Sequence, residues 1–243
     1  MNLVVDIGNT LIKMAVFQEG KLLKKKMGLR QDLLKNLEEI FNAYPQIQYS
    51  IVSSVAKTAS RAIQKIEERC KLYLLDQQLP QVFINKYTTP LTLGQDRIAL
   101  ASAASLSYPH QNVLVIDAGT CITYDFINAN NEYMGGAISP GLQMRYQAMH
   151  TFTDRLPLLE PEEEVTLIGN STKNSMHAGV ILGITGEIDQ MINAYRAQNK
   201  DLTVILTGGD AQILCKRLKN SIFANSNFLL EGLNYILEFN KSQ

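Results

Sequence analysis

"LVVDIGNT" at residues 3–10 is an apolar run that reaches a carboxylate, Asp6, and then a turn residue, Gly8. "VLVIDAGT" at 113–120 has the same form, with Asp117, Gly119 and Thr120. A short apolar run bounded by turn signals reads as a buried strand, and glycine lets the chain reverse tightly where a Cβ would clash. A second run rich in apolar and β-branched residues follows each turn: "IKMAVFQ" after the first and "CITYDFI" after the second. The two stretches predict two hairpins of one kind, heading two halves of a duplicated α/β unit.

The flanking sequence carries the same alternation. "KLLKKKMG" at 21–28 reads as a third strand, and residues 31–44 space Leu33, Leu34, Leu37, Ile40 and Phe41 as one face of a helix. "YSIVSSV" at 49–55 predicts a strand, 57–70 a helix and "LYLL" a further strand. The proline-bearing "NKYTTPLTLG" predicts an extended segment before a helix from Gln95 to about Leu106. In the second half "YMGGAI" is the third strand, helices fall near 141–153 and 173–198, "TVILTGG" is a strand, and a helix begins beyond Asp210. The expectation is two domains, 1–110 and 111–243, with a cleft between them.

Composition removes several classes. Lys plus Arg and Asp plus Glu number 23 each, so no overall field draws in nucleic acid or an anionic membrane. The run Lys24-Lys25-Lys26 reads as a solvated strand end. Three scattered cysteines and three scattered histidines make no disulfide framework or zinc pattern, which suits a reducing cytosol. Only "LVV" precedes Asp6, too short for a secretory apolar region, and no run approaches the ~20 apolar residues that span a bilayer. The expectation is a cytoplasmic protein without membrane or nucleic-acid partners.

The candidate chemistry sits at the turns. In "DIGNTLIK", successive turn N–H groups can cup phosphate oxygens, Asn9 and Thr10 add short donors, and Lys13 adds a positive charge. Asp6, Ile7, Gly8, Asn9, Thr10, Leu11, Ile12 and Lys13 form the candidate ATP stretch, with Asp6 a possible Mg²⁺ ligand. The same residues also suit a plain hairpin with Asp and Asn as turn formers. "DAGTCITYD" repeats the device, and Gly208-Gly209 in "ILTGGDA" leaves room for a flat ring against the backbone. In "LGQDR", Asp96 falls in a first helical turn, where the dipole favours its ionised form and a substrate hydroxyl could give it a proton. Neither "GxxxxGK[ST]" nor "GxGxxG" occurs.

Taken in order, "DIGNTLIK", "LGQDR", "DAGTCITYD", "YMGGAISPG" and "ILTGGDA" resemble the type III pantothenate kinases of the actin-like ATPase and sugar-kinase superfamily. The resemblance runs from residue 6 to about residue 211. It implies two ribonuclease H-like domains and ATP-dependent phosphorylation of pantothenate, the first step of coenzyme A synthesis. It implies that Tyr87, Gly94, Gln95, Asp96 and Arg97 contact pantothenate, with Asp96 the catalytic base. Thr172, in "GNSTKNSMHAG", would also bind pantothenate; on residue type alone it suits a helix N-cap. Thr120 would contact ATP, and Asp117 would hold the K⁺ or NH₄⁺ ion that the family requires. A homodimer is implied as well. Cys121 stands where the family usually has alanine; cysteine is a small hydrophobe when buried, so no change of chemistry is expected. Two rival readings remain: a nucleotide-binding transcriptional accessory protein, and a kinase of another small hydroxylated substrate.

Overall fold

The computed structural model describes residues 1–8, 11–54, 60–76 and 78–242. Asn9 and Thr10, both in the candidate ATP stretch, lie outside the described residues, as does the expected helix start at 57–59. The chain divides into two compact units, Met1–Ser107 with Asn227–Gln243, and Tyr108–Ser226.

The first unit opens with β1 (Asn2–Ile7), β2 (Leu11–Gln18) and β3 (Lys21–Leu29), an antiparallel meander. Helix α1 (Leu33–Ala43) leads to β4 (Tyr49–Ser54), and α2 (Ser60–Glu67) to β5 (Lys71–Leu74). Both β4 and β5 join in parallel, giving the order β3-β2-β1-β4-β5. Every residue of β1 is buried, which is why its sequence is nearly continuously apolar. Alternate side chains of β1 and β2 (Leu3, Val5, Ile7, Ile12, Met14 and Val16) form one core with Leu33, Leu37, Ile40 and Phe41 of α1. After a two-residue strand, β6 (Ile84–Asn85), comes α3 (Gln95–Ser107), at the predicted position.

The second unit repeats the plan. β7 (Asn112–Ala118), β8 (Cys121–Ile127) and β9 (Glu132–Pro140) form the meander, followed by α4 (Leu142–Thr151). The helix expected over 173–198 is α5 (Thr172–His177), a π turn at Ala178–Leu182, and α6 (Gly183–Gln198). Ile184, Ile188 and Ile192 of α6 pack on Leu114, Ile116, Val204 and Leu206 of the sheet. β10 (Leu202–Thr207), α7 (Ala211–Cys215) and β11 (Phe223–Ala224) complete the order β9-β8-β7-β10-β11 within this unit. Strand for strand, that is the order of the first sheet.

The last helix, α8 (Phe228–Lys241), packs against β1, β2, β4 and α3, in the first unit. The sequence expectation had kept 111–243 together; the structure groups Asn227–Gln243 with the opening residues instead. Long-range polar pairing fixes that return, for Asn2 Nδ2 donates to Asn234 Oδ1 at 2.8 Å. Close packing fixes it too: Gly232 lies so near Ala99 that a Cβ would overlap the Ala99 carbonyl oxygen.

Candidate active site

Asp6 is the penultimate residue of β1 and stands level with Lys13 of β2 on one side and Ser53 of β4 on the other. Directly opposed residues share a sheet face, so a carboxylate, an ammonium and a hydroxyl form a row. By strand parity Asp6 shares a face with Asn2, the face that α8 covers. It is 9% exposed. Burial pushes its carboxyl up to about 6; Lys13 pulls the other way, Asp96 adds to the rise, and a hydrogen bond from Ser53 lowers it. The desolvation cost therefore exceeds the attraction of the neighbouring lysine.

Asp96 belongs to the first turn of α3, and its Oδ1 accepts a hydrogen bond from Arg97 N at 2.9 Å. Gly94 makes this possible, because a Cβ there would overlap Asp96 Oδ1. Arg97 is buried, and its guanidinium lies 5.6 Å from the ring centre of Tyr87, within cation–π range. Tyr87 is itself oriented by an Asx turn, its N–H donating to Asn85 Oδ1 at 3.0 Å. The first unit thus gathers Asp6, Lys13, Tyr87, Gly94, Asp96 and Arg97 through two adjacencies: the β1 end with its Coulombic link to Asp96, and the ring-stacked Arg97.

In the second unit Asp117 stands level with Thr123 of β8 and Thr207 of β10. Its hairpin is held from two sides. Gly141 N donates to Thr120 O at 3.1 Å, and Asp210 N donates to Ala118 O at 2.9 Å. Gly208 has φ +98°, and a Cβ on it would overlap both Ala118 O and Asp117 Oδ1. The late glycine turn and the Asp117 hairpin are therefore one assembly, which the sequence showed only as separate motifs. Thr120 is exposed at the hairpin tip, and Cys121 is half-buried. Burial raises the Asp210 carboxyl.

Thr172 begins α5 and is exposed. It is not the cap: Ser171 is, its side chain accepting from Asn174 N at 3.2 Å. Sequence reading also passed over Ser53 and Asp125. Asp125 is fully buried and takes hydrogen bonds from Thr123 Oγ1 at 3.0 Å and Tyr133 OH at 2.7 Å. Its alternation with Thr123 along one strand was a readable signal, whereas the level of Ser53 depends on strand register.

The family model for type III pantothenate kinase matches residues 2–194. The chain belongs to the type III pantothenate kinase family. A type III pantothenate kinase of Christiangramia forsetii is 53% identical over 243 residues, covering 100% of both chains. One of Flavobacterium johnsoniae is 46% identical over 98% of each chain, and one of Bacteroides fragilis 40% over 100% of each. Among solved structures, a Baf family protein from Campylobacter jejuni is similar at TM-score 0.67 and 22% identity, covering 99% of this chain and 100% of that one. A ROK family glucokinase from Streptomyces griseus is similar at TM-score 0.55 and 10% identity, covering 100% and 99%. These structural likenesses bear on the fold: this family member has the two ribonuclease H-like units of the actin-like ATPases and sugar kinases.

Proposed function

We propose that the chain transfers the γ-phosphoryl group of ATP to the primary hydroxyl of pantothenate, the activity its family is named for and the first step of coenzyme A synthesis. The observation that carries the site-level reading is the pairing of Asp6 with Asp96. Asp6 stands level with Ser53, and Gln95, the residue before Asp96, takes hydrogen bonds at the Ser53–Ser54 strand end, so the buried carboxylate at the hairpin and the one at the helix start are brought to the same place. Phosphoryl transfer needs charge neutralised on the phosphate side and a proton accepted on the hydroxyl side, with positioning dominant. Asp6 suits the first task and Asp96 the second.

On this reading Lys13 and the hairpin N–H groups hold phosphate oxygens. Arg97 offers its guanidinium to the substrate's carboxylate, with Tyr87 bracing the guanidinium from its ring face. Asp96 accepts the hydroxyl proton. The family resemblance further assigns Thr120 to ATP and Thr172, exposed at the start of α5, to pantothenate.

The donor set fits a hard divalent cation. Among the described residues no group of three or more His, Cys, Asp or Glu converges. A single carboxylate, Asp6, leaves most positions to water and phosphate, the arrangement Mg²⁺ accepts. When bound, such a cation would neutralise phosphate charge. Asp117, flanked by two threonines, offers oxygen donors to K⁺ or NH₄⁺. We also propose a cytoplasmic homodimer; Phe152, Leu167 and Ile168 are more than four-fifths exposed and would gain from being covered. Among the described residues no helix is long and apolar enough to cross a membrane.

The test is ADP release by purified protein given ATP, Mg²⁺, K⁺ and a panel of hydroxylated substrates. Turnover that depends on pantothenate supports the reading, and turnover only with a sugar refutes it.

A further inference from the structure

The side chain of Gln95 is engaged within the protein. Its Oε1 accepts from Ser54 N at 2.7 Å and from Ser53 Oγ at 3.3 Å. One carbonyl oxygen thereby joins the end of β4 to the first residue of α3. Asp96 lies on α3, and Asp6 lies on β1, the strand that pairs with β4. Ser53 stands level with Asp6 across the sheet, its one hydroxyl proton serving either Asp6 or Gln95 Oε1, so Ser54 N is the steady anchor; Asp96 follows Gln95 directly in the chain. A helix start leaves its first N–H groups without intrahelical partners, so backbone hydrogen bonding along the helix does not fix where that end sits against a neighbouring strand. The Gln95 side chain supplies such a link.

We infer that Gln95 is a positioning residue, a bridge that sets Asp96 in register with Asp6 by tying α3 to β4. This departs from the role the family resemblance gives it, direct contact with pantothenate. A substrate contact would have to use the amide NH₂, because both bonds recorded for the side chain fall on its carbonyl oxygen. The bridge explains why glutamine suits this place: it reaches a strand end from a helix start and accepts two hydrogen bonds without adding a third negative charge beside two carboxylates.

The inference rests on Asp96 being the proton acceptor, and the experiment separates the two. Gln95→Met keeps the length of the side chain and removes the carbonyl. It is measured in the wild-type enzyme and in the Asp96→Asn background, with pantothenate and ATP varied. A misplaced catalytic group costs rate rather than ground-state affinity, so kcat is expected to fall about ten- to hundredfold while KM for pantothenate moves less than about threefold. In the Asp96→Asn background the same substitution should change kcat less than about twofold, since the group it positions is gone. Amide exchange at Ser54 should quicken in Gln95→Met, a readout independent of turnover. Gln95→Leu, which also removes the carbonyl, should give the same split and stands in if Gln95→Met does not fold. A raised KM with unchanged kcat, or an undiminished effect in Asp96→Asn, overturns the bridge and restores substrate contact. If instead Asp96→Asn alone keeps wild-type kcat, the base assignment fails, whatever Gln95→Met does.

Discussion

Asp6 and Asp117 occupy the same place in two copies of one strand arrangement. Each is next to last in the strand that joins an antiparallel meander to a parallel neighbour, opposite an antiparallel partner (Lys13 or Thr123) and a parallel one (Ser53 or Thr207). What differs is the company: a lysine and a serine beside Asp6, two threonines beside Asp117. The duplicated backbone presents two carboxylates, and in the function proposed above the neighbouring side chains divide their work. Beside Lys13 the carboxylate has a cation at hand for phosphate; between two hydroxyls it has an oxygen-rich surround suited to a weakly held cation.

Asp96→Asn should leave the fold and ATP binding intact while lowering kcat. General-base assistance is typically worth about 10²–10⁴-fold, and a loose phosphoryl-transfer transition state puts the expectation at the lower end. Single-turnover rates together with nucleotide affinity check it. Wild-type kcat in a well-folded variant would leave Asp96 as a residue that only complements the helix dipole.

Asp117→Asn should lower activity about tenfold or more at saturating K⁺, equivalent to about 1.4 kcal/mol, and flatten the dependence on K⁺ or NH₄⁺. Titrating K⁺, NH₄⁺ and Na⁺ against kcat in both proteins is the measurement. Full wild-type activity in Na⁺ alone would remove the premise.

The free enzyme should lose stability as pH rises through about 6 on account of Asp6. Burial lifts its folded pKa from 3.8 to about 6, so the native state binds the proton more tightly than the unfolded chain does. That contribution is fully present below pH 3.8 and is lost as pH rises through about 6. Asp6→Asn, uncharged throughout, should exceed wild type in stability above pH 6 by up to about 3 kcal/mol, two units at about 1.36 each. The two should converge near pH 4. Urea melts with EDTA and without nucleotide read the difference, and the same variant should bind ATP more weakly.

Gly232→Ala should destabilise the protein although alanine is the better helix former. The propensity gain is about 1 kcal/mol. Against it, the new Cβ would overlap the Ala99 carbonyl oxygen, which belongs to a helix backbone and cannot turn aside. Overpacking of that kind costs about 1–3 kcal/mol, so the net sign is expected to be loss. Thermal melting decides it, and a raised Tm would mean α3 and α8 can separate at little cost.

Much of the first sheet and of the second was legible locally. Two apolar runs broken by Asp6 and Asp117 gave the hairpins, and helical spacing from Gln95 gave α3. Asp96 was nameable from its place in a first helical turn, and Arg97 and Tyr87 through the family resemblance. Ser53, the shared assembly of Gly208 with the Asp117 hairpin, the bridge at Gln95 and the return of α8 to the first unit were not. The buried Leu229, Leu230, Leu233, Ile236 and Leu237 mark α8 as a core helix, yet no period tells which sheet it covers. Period and turn chemistry act between near neighbours and are written in the residues themselves. Register, capping choice and close approach are settled between residues far apart in the chain, where a one-residue slip would turn every side chain to the other face. Local residue pattern sets where strands end and which carboxylates stand there. Tertiary packing decided what stands beside each of them, because the cost of burying a charge depends on neighbours that only folding brings near.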